Sequence, residues 1–187
     1  MTELSLLVDE CLAGDDTAAR QFIDRFRAKV YGLCLRMVGE HHEAEDMAQE
    51  TFLRVFRNLD RWDRERPLEP WILTIAGNRC RTHIAQRSRR AVSPLAEEAV
   101  PDHRADPHVV KQLAEEVHLA LQDARVDYRQ AFLLFHDHQL SYQQIAEELR
   151  CPVGTVKTWV HRARAEIVRR LVARGVVQES TYDVRRV

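Results

Sequence analysis

The sequence contains no apolar run that approaches the roughly 20 residues needed to cross a bilayer. Its N-terminus carries Glu3, Asp9 and Glu10, and it lacks the basic start of a secretory signal peptide. We therefore expect a cytoplasmic protein that does not insert into a membrane.

The sequence also lacks the usual marks of a metal or redox site. Its four cysteines lie far apart and form no CxxC pair, so each is most simply a small core residue. His42 and Asp46 lie one helical turn apart, but two ligands without a distant His/Cys cluster do not close a metal site. The sequence shows no Ser/His/Asp set, no phosphate-binding glycine loop and no pair of carboxylates accompanied by further candidate metal ligands. We predict no metal, no cofactor and no enzymatic activity.

The charge of the chain alternates in blocks, although its net value is only −1. Residues 1–60 carry −5 and residues 61–92 carry +5, while residues 93–140 carry −5 and residues 141–187 carry +4. Two basic blocks separated by acidic ones indicate two separate contacts with a polyanion.

The second basic block contains a pair of helices separated by a short turn. Ser141 and Gln144 form a capping-box pattern ahead of apolar residues at helical spacing. Cys151 and Pro152 break this run, and a longer helix follows, with one apolar stripe and basic residues mostly off it. The apolar stripe comprises Val156, Val160, Ala163, Ile167 and Leu171. This arrangement is typical of a DNA-reading helix-turn-helix, although an ordinary helical hairpin would show the same pattern.

The remaining apolar periodicity predicts an all-α protein of two small helical domains joined by a flexible linker. The predicted N-terminal helices are Leu4–Leu12, Thr17–Met37, Glu43–Asn58 and Trp71–Arg87, and two more, Val109–Leu121 and Tyr128–His136, precede the helix-turn-helix. Prolines and weak periodicity mark residues 91–108 as the linker, which could span roughly 60 Å at about 3.3 Å per residue. The predicted domains are residues 1–90 and 109–173, followed by a short tail at 174–187.

Three stretches of the sequence are similar to bacterial extracytoplasmic-function (ECF) sigma factors of the sigma-70 family. They are AEDMAQETF at residues 44–52, WILTIAGN at residues 71–78, and SYQQIA with the following CPVGTVK and HRAR between residues 141 and 164. The resemblance extends from about Phe22 to Arg170. It implies a protein that binds core RNA polymerase and directs promoter-specific transcription initiation by reading minus-35 and minus-10 elements, while the polymerase supplies the chemistry.

The resemblance implies three groups of site residues. The minus-35 group lies on the second helix of the helix-turn-helix and comprises Lys157, Thr158, Trp159, His161 and Arg162. The minus-10 group, which in the family captures a flipped base and lines the non-template strand, comprises Arg66, Leu68, Trp71, Asn78 and Arg81. The core-polymerase group comprises Asp46, Gln49, Glu50, Leu53 and Phe56. These residue types suit nucleic acid, because cationic side chains contact phosphates and aromatic rings stack on bases. Trp71 could instead be a core anchor, and the role of Trp62 stays open.

The partners implied by the resemblance are the clamp helices and flap of core RNA polymerase, promoter DNA, and an anti-sigma factor. The sequence departs from the family at four sites: Gly77 replaces a larger or basic residue, Ala124 and Arg125 replace a Leu-Pro pair, Arg150 replaces a turn glycine, and Trp159 replaces an arginine. A positive backbone angle at Arg150 would cost free energy that glycine avoids.

The rival hypothesis is a stand-alone helix-turn-helix regulator, which would bind specific duplex DNA without core polymerase. A protein that only mimics the polymerase-binding half would not explain the basic C-terminal helix.

Overall fold

The structure is a computed structural model that describes residues 3–90 and 109–177, with side chains for residues 3–89 and 115–177. Within those residues every regular element is helical, which confirms the all-α prediction. The predicted linker at residues 91–108 and the tail beyond residue 177 lie outside the described residues.

The helices agree with the predicted ones, and most are slightly longer at one or both ends. They are α1 (Glu3–Leu12), α2 (Asp16–Val38), α3 (His41–Asn58), α4 (Leu68–Arg90), α5 (Val109–Gln122), α6 (Val126–His136), α7 (Tyr142–Leu149) and α8 (Val153–Ala173). A short 3-10 turn, Leu59–Arg61, follows α3. We call α1 to α4 the N-terminal unit and α5 to α8 the C-terminal unit.

The N-terminal unit folds around α2, which packs against α1, α3 and α4. The ring of Phe22 lies in the core, 5.1 Å from the ring of Phe26 and 5.4 Å from that of Phe56. Asp15 caps α2, because its carboxylate accepts the backbone N–H of Thr17 at 2.7 Å. Asp15 precedes the first helical residue and so reaches the free N–H groups of the first turn.

The C-terminal unit contains the predicted helix-turn-helix, formed by α7 and α8. The capping box is confirmed, since the Ser141 hydroxyl accepts the backbone N–H of Gln144 and the Gln144 side chain accepts that of Ser141. The predicted apolar stripe of α8 is buried, and α8 packs against α5, α6 and α7. This packing leaves the opposite face of α8 toward solvent.

Arg150 ends α7 in the left-handed conformation, with φ 52° and ψ 48°, as the sequence suggested. We expect Arg150→Gly to raise the free energy of unfolding by up to about 1 kcal/mol, because glycine adopts this conformation without a Cβ clash. Arg169→Gly, an exposed position inside α8, should instead lower it by about 1 kcal/mol. Urea unfolding of both variants measures the difference. A loss of stability in Arg150→Gly would contradict this interpretation of the α7 terminus.

The two units contact each other through α2 and α4 on one side and α5, α6 and α7 on the other. Histidines lie close to this contact. Burial lowers the pKa of His118, and the charges of Arg36 and Arg129 lower it further, while Asp137 opposes them. Burial also lowers the pKa of His138, which faces Arg36, Asp137, Glu69 and Lys29. Both imidazole rings therefore stay neutral at pH values at which a solvated histidine begins to bind a proton.

These depressed pKa values make the fold less stable in mild acid. Below the ordinary histidine pKa of 6.5, these two histidines bind protons in the unfolded chain but not in the folded chain. The free energy of unfolding therefore falls as the pH falls. We expect a lower Tm at about pH 5.5 than at about pH 7.5, and a smaller difference in His118→Gln, which cannot titrate. Scanning calorimetry at the two pH values tests this, and equal Tm values would contradict it.

Candidate nucleic-acid interface

The outer face of α8 presents the predicted minus-35 residues. Lys157, Thr158, His161 and Arg162 are all exposed. The amine of Lys157 lies 5.9 Å from the ring centroid of Tyr142 on α7. The guanidinium of Arg162 donates to the Tyr128 hydroxyl at 2.8 Å. Both cationic side chains therefore contact the supporting helices α6 and α7 and remain accessible to a polyanion.

Two other residues of the minus-35 group are more constrained. The Thr158 hydroxyl donates to the backbone carbonyl of Gly154 at 2.8 Å, so its proton is used within the helix. The Trp159 side chain is half-buried and packs against the hydrophobic core. Trp159 therefore packs on the core, while its neighbours in the group are exposed.

A groove of about 480 Å³ lies between α4 and α7 and contains most of the predicted minus-10 residues. One wall of the groove belongs to the N-terminal unit and includes Arg66, Trp71, Asn78 and Arg81. The opposite wall is formed by residues 147–150 of the C-terminal unit. Leu68 is only 1% exposed. Leu68 anchors the start of α4 in the core, and its contact with DNA stays a prediction.

Three residues that line this groove each carry a buried polar atom without a partner. Within the described residues, Trp62 Nε1, Thr74 Oγ1 and Asn78 Oδ1 are buried without a hydrogen-bond partner. A buried polar group without a partner loses its hydration at a cost of roughly 1–3 kcal/mol. An indole N–H donor, a hydroxyl and an amide oxygen together suit a polar, planar ligand such as a nucleobase edge.

The sequence reasoning missed Thr74 and left Trp62 open. Thr74 shares a helical face with Trp71, Asn78 and Arg81, since the four positions are separated by three, four and three residues. That spacing indicates that Thr74 lies on the same face of α4 as the predicted minus-10 residues. Trp62 is 8% exposed and is held by the hydrophobic core, and no local period could have indicated which way its indole N–H points.

The cations of the groove are paired with acids of the C-terminal unit. Arg66 lies 3.1 Å from a carboxylate oxygen of Glu147 and 2.9 Å from one of Glu148. Arg81 lies 3.3 Å from the carboxylate of Asp127. Burial raises the pKa of Glu148, and the charge of Arg66 acts in the opposite direction.

The exposed side of α3 carries three of the five residues of the predicted core-polymerase group: Asp46, Gln49 and Leu53. Leu53 is 57% exposed, an unusual position for a large apolar side chain, and Asp46 and Gln49 are exposed beside it. Glu50 forms an ion pair with Arg79 of α4. Phe56 turns inward and packs on Phe22, so it supports the helix from below.

A second groove, of about 780 Å³, runs along this side of α3. Its lining combines apolar and charged side chains from both α2 and α3: Ile23, Asp24, Arg27, Ala28, Tyr31, Glu45, Ala48, Gln49 and Phe52. The contribution of α2 was missed because its apolar periodicity indicated only the core face.

The described residues contain no group of three or more His, Cys, Asp or Glu side chains arranged to hold a metal ion. Among the described helices, none combines the length and the apolarity needed to cross a membrane.

The chain matches two family models. Residues 22–90 match Sigma-70 region 2, and residues 114–167 match Sigma-70, region 4. These matches separate at the predicted linker, with one in each helical unit.

Curated relatives give the same assignment, and a solved structure shares the fold. The ECF RNA polymerase sigma factor SigW of Bacillus subtilis is 31% identical over 173 residues, which cover 84% of this chain and 91% of the relative. The RNA polymerase sigma-H factor of Pseudomonas aeruginosa is 31% identical over 174 residues, covering 86% and 90%. The fold is similar to that of the sigma factor RpoE in its complex with the anti-sigma factor NepR from Bartonella quintana, with a TM-score of 0.68 at 24% identity over 81% of this chain and 95% of that one. The chain belongs to the ECF sigma factors of the sigma-70 family.

Proposed function

We propose that this protein binds core RNA polymerase and directs promoter-specific transcription initiation. Residues 1–90 would bind the polymerase and the minus-10 element, residues 109–173 would read the minus-35 element, and residues 91–108 would link them. The observation that carries the proposal is that the C-terminal unit presents an exposed cationic helix while the N-terminal unit contributes arginine, aromatic and amide side chains to a groove. An ordinary helical hairpin does not account for the groove.

The reading face of α8 suits the major groove. Lys157 and Arg162 can donate to phosphates or to the O6 and N7 atoms of guanine, and His161 can donate or accept beside them. The Thr158 methyl can contact the methyl group of thymine, since its hydroxyl proton is already used. The contacts of Arg162 with Tyr128 hold the guanidinium near the surface, which reduces the entropy lost when DNA binds.

The groove beside α4 suits an unpaired base. Trp71 offers a partly exposed ring for stacking, while Thr74 and Asn78 offer polar atoms to a base edge. Arg66 and Arg81 at the rim can follow the phosphates of the displaced strand.

The exposed side of α3 is the proposed docking site for the clamp helices of the polymerase. Leu53 supplies apolar area at its centre, and the acids beside it can pair with basic residues of the partner. The C-terminal unit would contact the flap, and an anti-sigma factor is a further proposed partner. The polymerase supplies the chemistry, so we assign no catalytic residue to this chain and infer that it works in the cytoplasm beside the chromosome.

Reconstituted transcription tests this function. Purified chain and core polymerase would be incubated with a library of duplex fragments, and transcripts would be mapped with and without the chain. We expect discrete start sites that require both proteins. A stand-alone regulator would instead bind specific duplexes tightly without core polymerase and give no core-dependent initiation, and that result would overturn the proposal.

A further inference from the structure

The start of α6 places an exposed cation beside the reading helix α8. Arg125 immediately precedes the first residue of α6, and its side chain is 69% exposed. It belongs to the pair that replaces the Leu-Pro of the family, and the resemblance assigns it no contact with DNA. This end of α6 therefore carries a charge that a proline could not supply.

The side chains of Arg125 and Arg162 meet at one buried aromatic ring. Tyr128 is only 4% exposed. The guanidinium carbon of Arg125 lies 5.1 Å from the centroid of the Tyr128 ring, and that of Arg162 lies 5.8 Å from it. A cation at this distance is attracted by the negative face of an aromatic ring, and Arg162 also donates to the Tyr128 hydroxyl at 2.8 Å. The buried ring therefore holds both guanidinium groups at one place on the surface.

The backbone at Arg125 has a conformation that does not depend on the arginine side chain. Its φ of −51° and ψ of 136° lie in the range that proline adopts. Arginine at this position therefore keeps the path of a proline and adds a cation to it. Because the side chain is largely exposed, we expect its replacement to leave the stability of the fold nearly unchanged.

The charge of Arg125 is only partly neutralised by its surroundings. A carboxylate oxygen of Asp127 lies 3.8 Å from the Arg125 guanidinium, which is longer than a hydrogen bond. The other oxygen of the same carboxylate lies 3.3 Å from Arg81. Together with Arg162, the site contains three guanidinium groups and this carboxylate, so it keeps a net positive charge that attracts an anion.

The separation of Arg125 and Arg162 matches the dimensions of duplex DNA. Since their guanidinium carbons lie 5.1 Å and 5.8 Å from one ring centroid, the two cations are at most about 11 Å apart. The major groove is about 12 Å wide, and each strand carries a phosphate roughly every 3.4 Å along the helix axis. When Arg162 contacts a base edge in the groove, a cation at this separation reaches the phosphates that border it.

We propose that Arg125 contacts the phosphodiester backbone of duplex DNA at the edge of the major groove, beside the base that Arg162 reads. Tyr128 positions both guanidinium groups for these contacts. This inference rests on the proposed function, because it extends the duplex contact of α8 to the start of α6. Phosphates carry no sequence information, so Arg125 contributes affinity and orientation, while the choice of sequence stays with α8.

The salt dependence of duplex binding tests this contact. The full chain would be titrated into a fluorescein-labelled duplex of mixed sequence, about 30 base pairs long, at salt concentrations between about 50 and 200 mM. Loss of one phosphate contact lowers the slope of log affinity against log salt by about 0.9, so Arg125→Gln should show this decrease. If the contact contributes nothing near 1 M salt, the same decrease corresponds to roughly eightfold weaker binding at about 0.1 M. Arg125→Lys keeps the charge and should keep the slope.

Arg57→Gln is the matched control for the loss of one positive charge. Arg57 is an exposed arginine on α3, which packs against α2 and α4 in the N-terminal unit. It should bind the duplex with the slope of the unmodified chain. If Arg125→Gln leaves the slope unchanged, or if Arg57→Gln lowers it equally, Arg125 does not contact a phosphate.

A comparison of promoter variants separates phosphate contact from base reading. Holoenzyme would be bound to a selected promoter and to its single base-pair variants. Arg125→Gln should weaken binding to all of them by the same factor, whereas Arg162→Ala should reduce the discrimination at one base pair. A change in the ranking of the variants with Arg125→Gln would show that Arg125 reads a base, and the phosphate assignment would be wrong.

The two proposals fail in different ways. The duplex titration contains no polymerase, so its result stands whatever transcription shows. An unchanged salt slope in Arg125→Gln rejects the phosphate contact and leaves the sigma function intact. If the unmodified chain gives no initiation with core polymerase, the sigma function itself fails.

Discussion

Replacing Leu53 by glutamate is expected to weaken binding to core RNA polymerase by roughly 30- to 700-fold. Leu53 is 57% exposed at the centre of the proposed docking face of α3, and loss of an apolar anchor with burial of a charge costs about 2–4 kcal/mol at a binding hot spot. The fold of the free chain should be unaffected, because surface substitutions usually change stability by about 0.5 kcal/mol or less.

Leu12→Glu is the matched control for this prediction. Leu12 is also an exposed leucine on a helix of the N-terminal unit, at 44% exposure, but it lies on α1, away from the docking face. Fluorescence titration of labelled chain with core polymerase gives the affinity of each variant. If Leu53→Glu and Leu12→Glu bind the polymerase equally well, the docking face lies elsewhere on the molecule.

Removing both Lys157 and Arg162 should abolish most promoter-directed initiation. Each cation that contacts DNA is expected to contribute about 1–3 kcal/mol, so the double alanine variant should lose roughly 100-fold or more in promoter affinity. Both side chains are exposed, so the C-terminal unit should stay folded, although Arg162 loses its hydrogen bond to Tyr128. Holoenzyme binding to a promoter selected from a randomised duplex library measures the loss.

Arg169→Ala is the control for charge alone. Arg169 is exposed on the same helix and about the same face as Arg162, but seven residues further along, or roughly 10 Å at about 1.5 Å per residue. It should lose little promoter affinity. Equal losses in the two variants would indicate that α8 attracts DNA through its net charge, without a defined reading face.

Local patterns in the sequence predicted the helices and the helix-turn-helix well. The buried stripe of α8, the capping box at Ser141 and the left-handed turn at Arg150 all follow from residues within about one or two helical turns of each other. These features depend on local chemistry, and a single sequence displays that chemistry directly.

The arrangement of the units could not be predicted in the same way. Arg66 and Glu147 meet across 81 positions of the chain, and a contact at such a separation leaves no period in the sequence. Gly77 was visible as an unusual residue, but its partner Gln130 could be identified only from the packed helices. Leu68 shows the same limit, since a leucine at a helix start is equally compatible with a surface role and a core role.

The partial cover of the α4 groove by α7 has a consequence for the cell. Replication forks and transcribed genes expose long single strands, and a sigma factor with an open groove would accumulate on them. Because Arg66 and Arg81 pair with acids of the C-terminal unit across this groove, the groove presents less free positive charge to such strands than an open one would.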